Sequence, residues 1–193
     1  MRTLCVYCGS SAGRRPVYAA AARTLAAVLA AREMRLVYGG GSVGIMGILA
    51  DACLERGVPV IGVIPRHLND LEVGHRGLTE LHVVETMHER KALLASLSDG
   101  FMALPGGVGT MEELFEAYTW GQLGLHAKPV ALLNVDGYYD PLVRFLDHTV
   151  EEGFIRGVHR EFLLAGTEVA PLLDAMQAWR APPVPKWMDP RDL

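Results

Sequence analysis

The chain has 193 residues, of which 50% are hydrophobic and 21% are charged, and its formal net charge is -4. This length predicts one α/β domain over residues 1–180, followed by a proline-rich tail at 181–193. Lysine and arginine are scattered rather than grouped in a stripe, and no apolar run approaches the ~18 residues of a membrane span, so we expect a cytoplasmic protein that binds neither nucleic acid nor a membrane.

Apolar strand patterns and amphipathic helix patterns alternate in the first half of the chain. Strands are predicted at 4–8, 35–38 and 58–64, and helices at about 16–32 and 43–56. The strand at 58–64 is apolar throughout, which is typical of a strand buried on both faces of a parallel sheet. Residues 65–80 are polar and are predicted to form a loop.

The same alternation continues in the second half. Strands are predicted at 81–85, 101–104, 130–133 and 161–165, and helices at about 87–98, 110–123, 138–152 and 171–179. Strands that alternate with helices in this way predict a Rossmann-like α/β fold, which is a doubly wound parallel sheet with helices on both faces.

A glycine-rich turn at 105–109 connects the strand at 101–104 to a helix that is predicted to begin at Thr110. Glycines let backbone N–H groups approach an anion, and the positive end of the helix dipole favours phosphate, so this turn predicts a phosphate site. Thr110 and Glu113 also have the spacing of a capping box, in which both side chains bond backbone amides of the first helical turn. Taken alone, the turn supports both interpretations.

A similar turn follows the strand at 35–38, and its small residues include Gly40, Gly41 and Ser42. The first strand also ends at a turn of small residues, among them Ser10. Ligands of open parallel sheets bind at the carboxyl ends of the strands. We therefore expect the three turns to converge on one crevice, with the two glycine turns as anion sites.

Other ligand classes fit the sequence less well. The glycine spacing at 39–44 matches the dinucleotide fingerprint, but the next strand ends without the acidic residue that holds a ribose, and no Gly-Lys-Ser/Thr of a Walker A loop follows either turn. The histidines show no zinc spacing, and Cys5 and Cys8 are too far apart along a strand for a disulfide. We expect no metal, no cofactor, and a mononucleotide or sugar phosphate as ligand.

The helix at 87–98 begins with Met-His-Glu-Arg-Lys, and its start is predicted to face the same crevice. Arg90 is the candidate for a phosphate or base contact, because a guanidinium makes directed hydrogen bonds and stays charged. A charge cluster on an exposed amphipathic helix explains the same residues. The spacing alone does not distinguish these two interpretations.

Taken together, the two glycine turns and the Met-His-Glu-Arg-Lys helix start resemble the signature of the Lonely guy family, and the similarity covers nearly the whole chain. Members of this family are cytokinin riboside 5'-monophosphate phosphoribohydrolases. The resemblance implies a Rossmann-like homodimer that hydrolyses the N-glycosidic bond of a nucleoside 5'-monophosphate, releasing free base and ribose 5-phosphate.

The resemblance also assigns roles to individual residues. It implies that Arg90 and Glu113 are catalytic. It places the nucleotide contacts at Lys91, Gly107, Val108, Gly109, Thr110, Met111, Glu112 and Thr119, with Glu72 and Glu80 in a less similar loop. Gly106, in the glycine turn itself, is a further predicted contact. Thr86 lies where relatives often have an acid, which raises the question of how the helix that carries Arg90 is anchored.

Two other functions are compatible with parts of the sequence. A non-catalytic carrier of a phosphorylated cofactor or nucleotide, similar to the molybdenum-cofactor carriers, needs the glycine turns but not a paired Arg90 and Glu113. A lysine decarboxylase, a description often attached to similar sequences, needs a pyridoxal-bearing lysine, and Lys91, Lys128 and Lys186 have no recognisable Schiff-base setting. The sequence does not distinguish adenine from isopentenyladenine as the base, or hormone production from nucleotide salvage.

The helix after the second glycine turn also bears on assembly. Helical spacing predicts that four of its apolar residues face the sheet: Met111, Leu114, Phe115 and Tyr118. Ala117 and Trp120 lie with Glu113 on another face, which a monomer would leave exposed. Because large aromatic residues are enriched at the centres of interfaces, we expect a second copy of the chain to cover this face. The alternative is that Trp120 packs under a loop of its own chain.

Overall fold

Seven strands form one parallel sheet in the computed structural model, which describes residues 1–70 and 74–182. The strands are Thr3–Tyr7 (β1), Arg35–Tyr38 (β2), Val60–Pro65 (β3), Glu80–Val84 (β4), Gly100–Ala103 (β5), Val130–Leu133 (β6) and Leu163–Gly166 (β7). Their order across the sheet is β4-β3-β2-β1-β5-β6-β7, and all neighbouring strands pair in parallel.

Helices connect the strands and cover both faces of the sheet. They are Pro16–Ala31 (α1), Gly44–Leu54 (α2), Arg66–Asp70 (α3), Met87–Leu97 (α4), Val108–Gln122 (α5), Asp140–Glu151 (α6), Gly157–Arg160 (α7) and Val169–Ala178 (α8). Side chains of α1, α2 and α8 pack on one face, and those of α4, α5 and α6 pack on the other. The predicted doubly wound α/β fold is confirmed.

The strand order reverses between β1 and β5. The chain first adds β2, β3 and β4 on one side of β1, and it then crosses to the other side, where β5 pairs with β1. The loop after β1 leads to a helix on one face, whereas the loop after β5 leads to a helix on the opposite face. Loops that diverge in this way leave a crevice between them, which is where ligands of doubly wound sheets bind.

The central strand β1 is buried along its whole length and separates two hydrophobic clusters. Leu4 and Val6 pack into the cluster under α1 and α2, while Cys5 and Tyr7 pack into the cluster under α4 and α5. This alternation follows from the two-residue period of a strand. Three cysteines are buried free thiols, namely Cys5, Cys8 and Cys53, and the prediction that Cys5 and Cys8 form no disulfide is confirmed.

Several elements differ from the sequence predictions. α3 lies inside the segment predicted as a loop, because its five residues are too few to show a helical period. The short helix α7 precedes β7, which begins two residues later than predicted. α6 begins at Asp140 rather than at 138, since a turn with Asp136 in the left-handed region (φ 52°) comes first. No helix within the described residues is long and apolar enough to span a membrane.

Candidate active site

A cavity of about 440 Å³ lies at the carboxyl ends of β1, β2 and β5, beside the reversal of strand order. The charged side chains that line it are those of Arg90 and Glu113. Six of the predicted binding residues also line it: Ser10, Gly41, Gly107, Val108, Gly109 and Thr110. The three turns therefore converge as the sequence predicted.

Arg90 enters the cavity from the first turn of α4, whose start is anchored by two hydrogen bonds between side chains and backbone amides. The Thr86 hydroxyl accepts a hydrogen bond from the Glu89 amide at 3.1 Å, and the Glu89 carboxylate accepts one from the Glu85 amide at 2.9 Å. Thr86 thus holds the helix start as an N-cap residue rather than as an acid. The buried Arg90 guanidinium donates through Nε to the Val63 carbonyl at 3.1 Å.

Glu113 faces Arg90 at ion-pair distance. Arg90 Nη1 lies 3.0 Å from Glu113 Oε1, and the two side chains are only 10% and 11% exposed. Burial raises the pKa of Glu113 above its ordinary value of 4.5, and the nearby Arg90 charge opposes this shift without cancelling it. The cavity therefore contains a carboxylate with increased proton affinity beside a fixed positive charge.

The interpretation of Glu113 as a helix-capping partner is wrong. α5 begins at Val108, two residues before the predicted start, and its N-cap residue is Gly107. Thr110 is therefore inside the first turn, where its side chain is buried. Glu113 lies in the second turn, beyond the position from which a capping-box glutamate reaches the N-cap amide. Its carboxylate is directed to Arg90 instead.

The N-terminus of α5 contributes backbone amides to the cavity wall. The first hydrogen bond of the helix runs from the Met111 amide to the Gly107 carbonyl at 3.1 Å. The amides of Val108, Gly109 and Thr110 precede this bond and have no acceptor within the helix. No side chain in the described part of the chain caps this end. Uncapped amides at the positive end of a helix form a favourable anion site.

The first glycine turn differs from the second in how the helix after it begins. The amides of Ile45 and Met46, at the start of α2, donate to the Gly9 carbonyl at 3.0 and 3.3 Å. Gly44 has a φ of 62°, and a Cβ on it would overlap the Ser10 backbone. This turn uses its amides and its missing side chains to pack against the loop after β1.

A short loop at 74–77 covers the first glycine turn. The His75 amide donates to the Gly40 carbonyl at 2.8 Å, and His75 Nε2 lies 2.9 Å from Asp51 Oδ1. Gly74 forms an antiparallel bridge with Gly41. Gly40 is therefore held by backbone contacts and, unlike Gly41, does not line the cavity.

Lys91 joins α4 to α5 and does not line the cavity. Its amine lies 2.5 Å from Glu112 Oε1 and 3.0 Å from Glu116 Oε1. Burial lowers the pKa of Lys91, but its hydrogen bonds to the two carboxylates outweigh this effect, and the pKa is raised overall. The pairing directs the Lys91 amine to Glu112 and Glu116, and neither Lys91 nor Glu112 lines the cavity, although both were predicted as nucleotide contacts.

The structure does not bring the remaining predicted residues together at the cavity. Glu80 pairs with Ile61 near the amino ends of β4 and β3, opposite the cavity, because the register of these strands sets β4 there. Thr119 is exposed, roughly 16 Å along the axis from the start of α5. Glu72 lies outside the described residues. The others are near the cavity without lining it: Ser42, Gly106 and Met111.

Sequence reasoning missed the apolar part of the cavity wall. This part consists of Val43, Met46, Ile64 and Leu68, with the Cys8 thiol beside them. Apolar residues at strand ends have the sequence pattern of core residues, and Leu68 belongs to the unpredicted helix α3. An apolar wall next to a few polar groups is typical of a small-molecule site.

The outer face of α5 is more covered than predicted. The residues predicted to face the sheet are buried or half-buried: Met111, Leu114, Phe115 and Tyr118. Ala117, however, is also buried, and Trp120 is half-buried. The expectation that Ala117 and Trp120 lie on a face left exposed by one chain is therefore wrong.

A family model described as possible lysine decarboxylase matches residues 46–176. The chain is 50% identical over 176 residues to the probable cytokinin riboside 5'-monophosphate phosphoribohydrolase LOGL1 of Oryza sativa subsp. japonica, covering 91% of this chain and 79% of that protein. It is 48% identical over 179 residues to cytokinin riboside 5'-monophosphate phosphoribohydrolase LOG5 of Arabidopsis thaliana, covering 93% and 78%. The chain belongs to the Lonely guy family.

The Lonely guy fold is shared with proteins of another description. The molybdenum-cofactor carrier protein from Chlamydomonas reinhardtii has a TM-score of 0.68 to this chain at 21% sequence identity, covering 92% of this chain and 96% of the carrier. At this identity the likeness concerns the Rossmann-like fold alone. Proteins that share a fold can differ in function, so the likeness to the carrier assigns no activity to this chain.

Proposed function

We propose that this protein hydrolyses the N-glycosidic bond of a cytokinin-type nucleoside 5'-monophosphate to free base and ribose 5-phosphate. The relatives that share about half of its residues are named for this activity. The observation that carries the proposal is the buried pair of Arg90 and Glu113, which shares one cavity with the uncapped N-terminus of α5. A carrier needs the helix end but has no use for the pair.

Glu113 acts at the anomeric carbon. Glycosidic cleavage passes through an oxocarbenium-like transition state, and a carboxylate stabilises the positive charge that develops there. The water oxygen bonds to C1' as the C1'–N bond breaks, and the electron pair of that bond leaves with the base. Glu113 accepts a proton from the water, and a proton is returned to the base. Because burial raises its pKa, Glu113 is a stronger base than an exposed glutamate.

Arg90 acts on the other side of the breaking bond. Its Nε is held by the Val63 carbonyl and its Nη1 by Glu113, so the guanidinium has a fixed orientation at the cavity wall. A fixed positive charge neutralises the negative charge that develops on the departing base, or holds the ribose in register. The apolar wall described above provides a surface for the base.

The 5'-phosphate binds at the start of α5. We assign it to the amides of Val108, Gly109 and Thr110, with Ser10 and Gly41 on the facing wall. The helix dipole and the uncapped amides favour an anion without requiring a basic side chain. Binding energy from the phosphate then positions the glycosidic bond against the catalytic pair.

The arrangement of lysines favours hydrolysis over amino-acid decarboxylation. A pyridoxal enzyme needs a lysine amine at its cavity. Of the lysines within residues 1–70 and 74–182, Lys91 is paired with two carboxylates and Lys128 donates to the Ala95 carbonyl at 2.6 Å. Neither lines the cavity. Lys186 lies outside the described residues.

The proposal includes a cytoplasmic homodimer that acts on a small nucleotide rather than on nucleic acid or at a membrane. Val108, at the mouth of the cavity, is 86% exposed, and Leu81 and Val83 are exposed on the edge strand β4. A second copy would cover apolar side chains of this kind. The buried thiols are free, which is typical of proteins in reducing compartments.

The test is incubation of the protein with AMP and with isopentenyladenosine monophosphate, followed by chromatography of the free bases. The proposal expects catalytic release of base from at least one nucleotide, and the ratio of the two rates ranks the substrates. Binding of either nucleotide without release of base would favour the carrier function instead.

A further inference from the structure

Gly39 lies at the end of β2, where the first glycine turn begins, and it lines the same cavity as Arg90. A Cβ atom built on Gly39 would overlap the Nη2 atom of Arg90, and it would lie 3.2 Å from Arg90 Cζ and 3.6 Å from Met46 Sδ. No side chain at position 39 is therefore compatible with the observed position of the guanidinium.

Backbone conformation does not explain why this residue is glycine. The next residue, Gly40, has a φ of 74°, in the region that favours glycine, whereas Gly39 is not among the described glycines with positive φ. An alanine at position 39 is thus free of backbone strain. The added methyl group has no space, because atoms of Arg90 occupy its position.

The guanidinium is held from three directions. Gly39 closes one side, the Val63 carbonyl accepts from Nε at 3.1 Å, and Glu113 lies 3.0 Å from Nη1. Gly39 directly follows β2, and Val63 lies in the adjacent strand β3 one residue beyond the last β2–β3 pair, so together they form a slot beside the sheet. We propose that Gly39 is a positioning residue that seats Arg90 in this slot, rather than a contact for the phosphate.

The catalytic consequence rests on the proposed hydrolase function. Alanine at position 39 displaces the guanidinium by about the width of a methyl group, and a misplacement of about 1 Å in an active site can reduce the rate about 10²-fold. The amides at the start of α5 are not touched, so we expect kcat to fall while KM for the nucleotide changes little. Because Arg90 lowers the pKa of Glu113, its displacement also moves the acid limb of the pH profile to higher pH.

The seat, which is the space that Gly39 leaves for the Arg90 guanidinium, is tested by a double-mutant cycle that does not depend on activity. Tm is measured for the wild type, Gly39→Ala, Arg90→Ala and the double variant. We expect Gly39→Ala to lower the Tm of the wild type and to leave the Tm of Arg90→Ala unchanged, because the overlapping atoms are then absent. Gly157→Ala, which has no atom within 4 Å of its added Cβ, is the matched control.

The outcomes separate this inference from the proposed function. Equal losses of Tm in both backgrounds overturn the seat, whether or not the protein is a hydrolase. If Gly39→Ala does not fold, the inference predicts that the double variant, which lacks the Arg90 side chain, does fold. If neither variant folds, the inference is overturned. A coupled Tm cycle in a protein that releases no base leaves the seat in place and overturns the hydrolase. A hydrolase in which Gly39→Ala keeps its kcat and pH profile overturns the positioning role of Gly39 in catalysis.

Discussion

Replacing Glu113 by glutamine removes one charge from the cavity and keeps the volume and a hydrogen-bond acceptor for Arg90. Removal of an acid–base or electrostatic group costs about 10²–10⁴ in rate, which corresponds to about 3–5 kcal/mol of transition-state stabilisation. We expect the upper part of that range, because the Glu113 side chain is only 11% exposed and its charge is weakly screened by water. KM for the nucleotide should change little, since the amides of α5 remain.

Although its rate falls, the Glu113→Gln variant should be at least as stable as the wild type. Burial raises the pKa of Glu113 above 4.5. The folded protein therefore keeps this proton at pH values where the unfolded chain has lost it, and stability falls as the pH rises through that window. Glutamine lacks this cost, so its Tm should equal or exceed that of the wild type at about pH 8, and the advantage should vanish below pH 4.5.

The assay is release of free base from AMP, followed by chromatography, with Tm measured in parallel. Glu152→Gln, at an exposed position after α6, is the matched control and should keep the wild-type rate. A rate of base release near the wild-type value for Glu113→Gln would refute the catalytic role. A large loss of Tm at pH 8 would show instead that the carboxylate is mainly a structural partner of Arg90.

Three further predictions concern the pH profile, the phosphate and the anchoring of α4. The acid limb of kcat/KM should lie above pH 4.5, because burial raises the pKa of Glu113, and a limb at or below 4.5 in a pH-rate series would contradict this. Adenosine should have a kcat/KM lower than that of AMP by about 10²-fold or more, because it has no phosphate to make charge-assisted hydrogen bonds to the α5 amides. Comparable kcat/KM values in steady-state kinetics would exclude a phosphate site at the start of α5. Thr86→Ala removes the N-cap of α4 and should lower the free energy of unfolding by about 1 kcal/mol, or the Tm by about 2–4 °C. The control Ser96→Ala, on the same helix, should lower the Tm less. Equal losses of Tm by calorimetry would argue against the cap.

The sequence predicted the fold because most strands are short apolar runs and the longer helices have a regular period. It also predicted that the three turns meet, since small residues after parallel strands mark the carboxyl edge of the sheet. The start of α5 escaped prediction for a physical reason. Gly107 serves as the N-cap through its backbone, and it has no side chain that would mark the boundary. Threonine is a better N-cap residue by type, so the helix was predicted to begin at Thr110, two residues too late.

The pairing of charges was harder to predict than their identity. Arg90 and Lys91 are adjacent in the sequence, yet Arg90 enters the cavity and meets Glu113, whereas Lys91 meets Glu112 and Glu116 and does not line the cavity. Which carboxylate meets which cation depends on how α4 and α5 pack, and no local pattern encodes that packing. The position of Glu80 likewise depends on the register of β4 against β3, which involves residues far apart in the chain.

The central claim is that the cavity with Arg90 and Glu113 breaks the glycosidic bond of a nucleotide. Its most direct test is a single-turnover reaction with protein in excess over AMP, in which free adenine and ribose 5-phosphate are quantified together by mass spectrometry. We predict that both products form in a one-to-one ratio with the loss of AMP, and that neither forms with Glu113→Gln on the same timescale. Recovery of intact AMP from the wild-type protein, together with recovery of intact isopentenyladenosine monophosphate in a parallel reaction, would contradict the account.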